Sequence, residues 1–172
     1  ENGTDEVSFW NEDTGFYHDV IELPDGQKTS LEVFSMQGVT PLFAGVSIPT
    51  SSVEALAALS QELRRLHAAY GLPDDFTPLR LSGGDGSHVM IAVVGHHRLE
   101  RMLSRILDPD QFLSQHGLRS LSKYHQANPY TYNVNGADYS VDYMPAESRN
   151  RMFGSNSNWR GPVWMPMNFL FV

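Results

Sequence analysis

Apolar positions change their spacing several times along the chain, and each change marks an element. From Phe9 to Gly26 aromatic residues crowd between turn signals at Thr14-Gly15 and Pro24-Asp25-Gly26, with Tyr17, Asp19 and Ile21 alternating against Phe16, His18 and Val20. Period two between turns predicts a short β-hairpin near the N-terminus. From Ser51 the period lengthens: Leu56, Leu59, Leu63, Leu66 and Tyr70 recur at three and four, behind a capping box of Ser51 and Glu54. This predicts an amphipathic helix with a buried stripe, stopped by Gly71 and Pro73. The run Val89–Val94 fits a strand or a buried helix equally, after a turn at Gly83-Gly84-Asp85-Gly86 that lacks the Lys-Ser/Thr of a phosphate loop. Leu99, Met102, Leu103 and Ile106 predict a second helix, closed by Asp108-Pro109. Regular periodicity fades between Ser114 and Asn158, and Pro162–Val172 resumes an apolar pattern with Pro162 in a helical first turn. No repeat period is present, which removes a helical-repeat interaction protein from the candidates.

Charge and composition narrow the function. The 172 residues carry 12 Lys+Arg against 20 Asp+Glu, a formal net charge of −8. A phosphate-backbone binder needs a basic stripe, so nucleic acid is not an expected partner. No apolar run approaches the roughly 18 to 20 residues of a membrane span, so no membrane partner is expected either. Zero cysteines exclude disulfides, thiolate metal sites and a cysteine nucleophile. Glu1–Glu6 lacks a Met and a basic-then-apolar leader, and Asn168–Val172 stops inside an apolar run. Both ends read as cut, and the absence of a leader points to the cytoplasm. Three Trp, seven Tyr and nine Phe beside many amides suit a concave ligand surface as well as a core.

Three blocks carry a resemblance. Asn158-Trp159-Arg160-Gly161-Pro162-Val163-Trp164-Met165-Pro166-Met167-Asn168-Phe169-Leu170 resembles the Asn-Trp-Arg-Gly-Pro-x-Trp-x-x-x-Asn-Phe/Tyr-Leu signature of family 63 glycoside hydrolases. Trp10-Asn11-Glu12-Asp13-Thr14-Gly15-Phe16-Tyr17-His18-Asp19 is similar to that family's Trp-Asp-x-x-x-Gly-Phe-Tyr-Tyr-Asp segment, and Gly117-Leu118-Arg119-Ser120-Leu121-Ser122 to its Gly-Leu/Ile-Arg-Ser-Leu-Ser loop. Asn11 stands where the family often has Asp, and Ser155 where it has Gly. The resemblance implies a mainly α chain, a slice of an (α/α)6 barrel with long loops, truncated at both ends. The implied activity is hydrolysis of α-glucosidic bonds with inversion. The family's general acid falls upstream of residue 1 and its general base beyond Val172, so neither catalytic carboxylate is named in this chain. The remainder of the polypeptide is then a required partner, and no cofactor is implied.

What these residues offer is sugar holding: indoles stack on a pyranose face, while Arg, Asn and Asp exchange hydrogen bonds with hydroxyls. Candidate substrate-binding residues are Trp10, Tyr17, Asp19, Arg119, Asn158, Trp159, Arg160 and Trp164, for an α-glucoside or oligosaccharide. The alternative is a non-catalytic carbohydrate-binding or scaffolding module derived from the same barrel. Glu147 imitates a missing base, but a salt bridge to Arg149 or Arg151 suits it better. His88, His96, His97 and Glu100 lack the spacing of a metal cluster, so no metal is expected.

Overall fold

The sequence was placed in three dimensions as a computed structural model, which describes residues 7–70, 79–82, 87–144 and 162–171. Along the chain these residues form β1 (Trp10–Asn11), β2 (Phe16–Tyr17), β3 (Asp19–Glu22), β4 (Lys28–Leu31), a 3-10 stretch (Met36–Phe43) and β5 (Gly45–Pro49). Next come α1 (Val53–Tyr70), β6 (Leu79–Ser82), β7 (His88–Ala92) and α2 (His96–Ile106). The last elements are β8 (Leu113–Ser114), β9 (Gly117–Leu118), β10 (Tyr130–Val134), β11 (Ala137–Val141) and α3 (Met165–Phe169).

This corrects the expected fold class. The chain is not mainly α and is not a slice of an (α/α)6 barrel: short antiparallel hairpins alternate with a few helices. The reason lies in the segment from Ser114 onward, where periodicity was too short to register. Tyr130, Tyr132 and Val134 alternate with Thr131 and Asn133 and pair in register with Ala137–Val141. Asn135 (φ 53°) and Gly136 (φ 82°) close the loop, the two successive positive φ angles that a tight two-residue hairpin turn requires. The N-terminal region likewise holds two hairpins rather than one, β1–β2 and β3–β4, turned at the predicted Thr14-Gly15 and Pro24-Asp25-Gly26.

The chain divides into two compact units. One comprises Thr40–Leu99, the other Val7–Val39 and Glu100–Val172. In the first, β7 lies between β5 and β6 and is antiparallel to both, with Gly45 and Leu79 opposite Ala92. The ambiguous Val89–Val94 run is therefore largely strand. β5 and β6 are parallel to each other and joined through α1, a β-α-β unit split by a third strand. Helix α1 spans 18 residues, close to its predicted limits, after a 3-10 turn at Thr50–Ser52. Its stripe departs from expectation: Leu59 and Leu66 are 38% and 39% exposed, and Tyr70 more so.

The second unit holds an aromatic core. Phe16 and Phe112 are fully buried and stack at 5.6 Å between centroids, and Phe34 meets Phe16 edge-on at 5.4 Å. Met102 and Ile106 of α2 are buried, as the predicted spacing requires, and Val33, Leu121 and Val141 form an adjoining apolar cluster. Position 38 is buried and has no room for a side chain, because a Cβ there would strike the Tyr17 carbonyl and the Phe16 ring. The expected terminal helix starts later than predicted: α3 has five residues with Pro166 in its first turn, while Pro162 lies in a bend and Val163 in a single β-bridge before it. Among the described residues no helix is long and apolar enough to cross a membrane.

Candidate functional site

The first block is built on β1–β2. Trp10 stands opposite Tyr17, and their rings meet at 4.9 Å with a 62° interplanar angle. Strand alternation puts these two on one face and Asn11 with Phe16 on the other. Trp10 is buried and Tyr17 half-buried. Asp19 opens β3 opposite Leu31 and is also half-buried. The intervening turn is organised by Asn11, whose Oδ1 accepts from the Asp13 and Thr14 N–H groups at 2.9 and 3.0 Å. Its Nδ2 donates to Glu32 Oε1 at 3.0 Å.

Two arginines one turn apart on α2 clamp that turn from the side. Arg101 donates to the Glu12 carboxylate at 3.0 Å and to its carbonyl, and its guanidinium lies 5.7 Å from the Trp10 ring centre. Arg105 donates from Nε to the Thr14 carbonyl at 2.9 Å and from Nη1 to Gln111 Oε1 at 2.8 Å, with its Cζ 4.3 Å over the Phe34 ring.

The second and third blocks meet directly. Arg119 pairs with Val163 as an isolated antiparallel bridge, and Ser120 N–H donates to the Pro162 carbonyl at 2.8 Å. Asn168 completes the joint. Its Oδ1 accepts from Leu118 N–H at 2.6 Å, while Nδ2 donates to the carbonyls of Leu118 and Trp164, both at 3.1 Å. Leu118 is buried, so this amide satisfies backbone groups with restricted access to water. Gly117, at φ +119°, has Asn168 Oδ1 within 2.6 Å of where a Cβ would sit.

A layer of buried histidines ties the first block to the second. His18 is 2% exposed; its Nε2 meets Thr14 Oγ1 at 2.8 Å and its Nδ1 the Val33 carbonyl at 3.2 Å. His125, equally buried, accepts the Phe34 N–H on Nε2 at 2.9 Å. That bond fixes the tautomer: the proton sits on Nδ1, which donates to the Asn128 carbonyl at 2.9 Å. Burial lowers both imidazole pKa values, opposed for His18 by the Val33 carbonyl and Glu32 and for His125 by the Asn128 carbonyl. Phe34 and Ser122 exchange backbone contact as well, Ser122 N–H donating to the Phe34 carbonyl at 2.9 Å.

Of the sequence-predicted site residues, the structure thus pairs Trp10 with Tyr17 in the first hairpin, places Asp19 at the start of the next, and joins Arg119 to the segment bearing Trp164. Arg119 does not point a free fork at solvent. Its Nη1 donates to the carbonyls of Pro109, Gln111 and Leu113 at 2.9, 3.1 and 2.6 Å, and its Cζ lies 5.9 Å from the Tyr143 ring. Trp164 is half-buried and caps α3. Asn158, Trp159 and Arg160 lie outside the described residues, as do Glu147, Arg149 and Arg151. Glu32, His18, His125 and Asn168 were not among the candidates. Only Asn168 carried a signal, a lone amide within an apolar run. Among the described residues no three His, Cys, Asp or Glu side chains gather in a way that holds a metal ion.

No protein-family profile matches the chain, and no solved structure matches it. It is similar to the uncharacterized protein YMR196W of Saccharomyces cerevisiae, with 39% identity over 168 residues. That alignment covers 96% of this chain and 15% of the yeast protein.

Proposed function

We propose that these 172 residues belong to a longer inverting glycoside hydrolase acting on α-glucosidic bonds, and that they form part of its sugar-binding subsite. The observation that supports this reading is the spatial convergence of the motif blocks. Asn168, inside the third block, is hydrogen-bonded through both amide atoms to Leu118 in the second. The first block reaches the second through His18, Val33 and Phe34, which hold Ser122. Blocks distant in sequence and joined by polar side-chain contacts are what a composite binding site requires.

In this reading the roles differ from residue to residue. Tyr17 and Trp164, half-buried, offer aromatic faces for stacking on a pyranose, and Asp19 offers an acceptor for hydroxyls. Arg119 acts through the backbone: by gathering three carbonyls it sets the 109–118 loop beside Val163. Trp10 packs edge-on against the Tyr17 ring and holds it in place. Inversion needs a protonated acid and a base about 6.5 to 9.5 Å apart with a water between base and sugar, and the remainder of the polypeptide supplies both.

The test is to express the complete reading frame and follow α-glucoside hydrolysis by NMR. The expected first product is β-glucose. Asp19→Asn should raise KM for the glucoside with little change in melting temperature. Release of α-glucose, or no hydrolysis and no binding across α-linked gluco-oligosaccharides, would overturn the proposal.

A further inference from the structure

The last helix is built inside out. Asn168 turns inward to bond Leu118, while the apolar residues around it face water: Met165 is 64% exposed, Phe169 79% and Leu170 54%, with Phe171 beside them. Met165 and Phe169 are four apart and share one side of α3. A surface helix ordinarily shows the reverse arrangement, polar outward and apolar inward. Here the inward face is already satisfied by hydrogen bonds, so the outward apolar face has a different counterpart.

We infer that the outer face of α3, formed by Met165, Phe169 and Leu170, docks against an apolar face of the same polypeptide outside these 172 residues. Two observations select this occupant over a second copy. At about 200 Å² for a large side chain, the exposed fractions leave roughly 400 to 500 Å² of apolar surface, against about 800 Å² per partner in a stable free-standing complex. A patch of that size is sufficient when the partner is tethered, because a linked segment is present at an effective concentration on the order of millimolar. The formal net charge of −8 adds repulsion between copies. The aligned region, moreover, is only 15% of the yeast protein's length, leaving most of that relative's chain to supply such a face. Docking there would also press α3 onto Leu118, so the site loop and the remaining polypeptide would be held by opposite sides of one helix. This inference does not depend on the glucosidase reading.

The experiment places a benzophenone photoprobe at Phe169, and separately at Met165, in the protein expressed from its complete reading frame. Cross-linked peptides are mapped by mass spectrometry on a mixture of isotopically light and heavy protein. The expected result is a cross-link from both positions to a segment outside residues 1–172, with light–light and heavy–heavy pairs only. Mixed light–heavy pairs would assign the face to a second copy and overturn the inference. So would cross-links confined to residues 1–172, or no cross-link from either position.

Discussion

Asn168 offers the most direct test of how the second and third blocks are held together. Replacing it with Leu keeps its approximate volume and removes three hydrogen bonds at once, one to Leu118 N–H at 2.6 Å and two to carbonyls at 3.1 Å. At about 0.5 to 1.5 kcal/mol per bond, and with water reaching part of this half-buried site, the net loss should be about 2 to 3 kcal/mol. For a chain of this size that lowers the melting temperature by roughly 4 to 12 °C. Asn168→Asp sharpens the forecast. An oxygen can still accept from Leu118 N–H, but the other oxygen now faces two carbonyls that the amide nitrogen used to satisfy. Ionisation is disfavoured there, so the introduced carboxyl titrates above its unfolded value of about 3.9. The folded state then holds the proton more tightly than the unfolded state, and stability relative to wild type falls as pH rises through about 4 to 6. Urea unfolding followed by tryptophan fluorescence, with wild type measured at each pH, gives both quantities. A Leu variant within about 0.5 kcal/mol of wild type would refute the argument. So would an Asp variant whose deficit does not change with pH.

Three further outcomes follow from the site. Asn11→Asp should keep the turn bonds to Asp13 and Thr14 but oppose Glu32 at about 3 Å, costing on the order of 1 kcal/mol at this exposed position; Glu32→Gln should restore the loss in a double-mutant cycle. Folded-state pKa values of His18 and His125 lie below the unfolded 6.5, so the unfolded chain takes up protons first. Stability should therefore fall as pH drops below about 6.5 toward those lowered values, and His125→Phe should flatten that part of the urea-midpoint profile while lowering it overall. Arg119→Met keeps a long side chain but removes the Nη1 contacts to the Pro109, Gln111 and Leu113 carbonyls, so it should lower the melting temperature by several degrees in a thermal unfolding experiment.

Sequence periodicity revealed the long elements and missed the short ones. Leu56, Leu59, Leu63, Leu66 and Tyr70 at three and four announced α1, because 18 residues repeat a helical period several times. β8 and β9 have two residues each, too few for any period, and exist because Leu113 and Leu118 pair around a turn that Ser114 Oγ closes on Gly117. The predicted burial of α1's stripe failed at Leu59 and Leu66, since spacing gives the side of a helix and not what lies against it. At the site, residue types were legible where backbone accounting was not. Arg119 stood in sequence as a substrate-binding candidate, and its carbonyl partners at Pro109, Gln111 and Leu113 become neighbours only when β8 and β9 turn. His18 and His125 carry no sequence signal because their partners, Val33 and Phe34, contribute backbone atoms that every residue has.

The second unit is discontinuous in sequence, made of Val7–Val39 and Glu100–Val172 with roughly 60 residues of the first unit between. During ribosomal synthesis the amide of Phe34 emerges 91 residues before the imidazole that accepts its proton. At about 5 to 20 residues per second, that bond waits roughly 5 to 18 s after its donor is made. For most of that interval Phe16 lacks Phe112, and the β1–β2 turn lacks both of its arginines. The β5–β7–β6 sheet, whose strands all fall between residues 45 and 92, is complete in the nascent chain before the residues that finish the second unit are made. Slowing translation just after residue 39 would prolong exposure of the early aromatic segment to chaperones, whereas slowing it just after residue 125 would not.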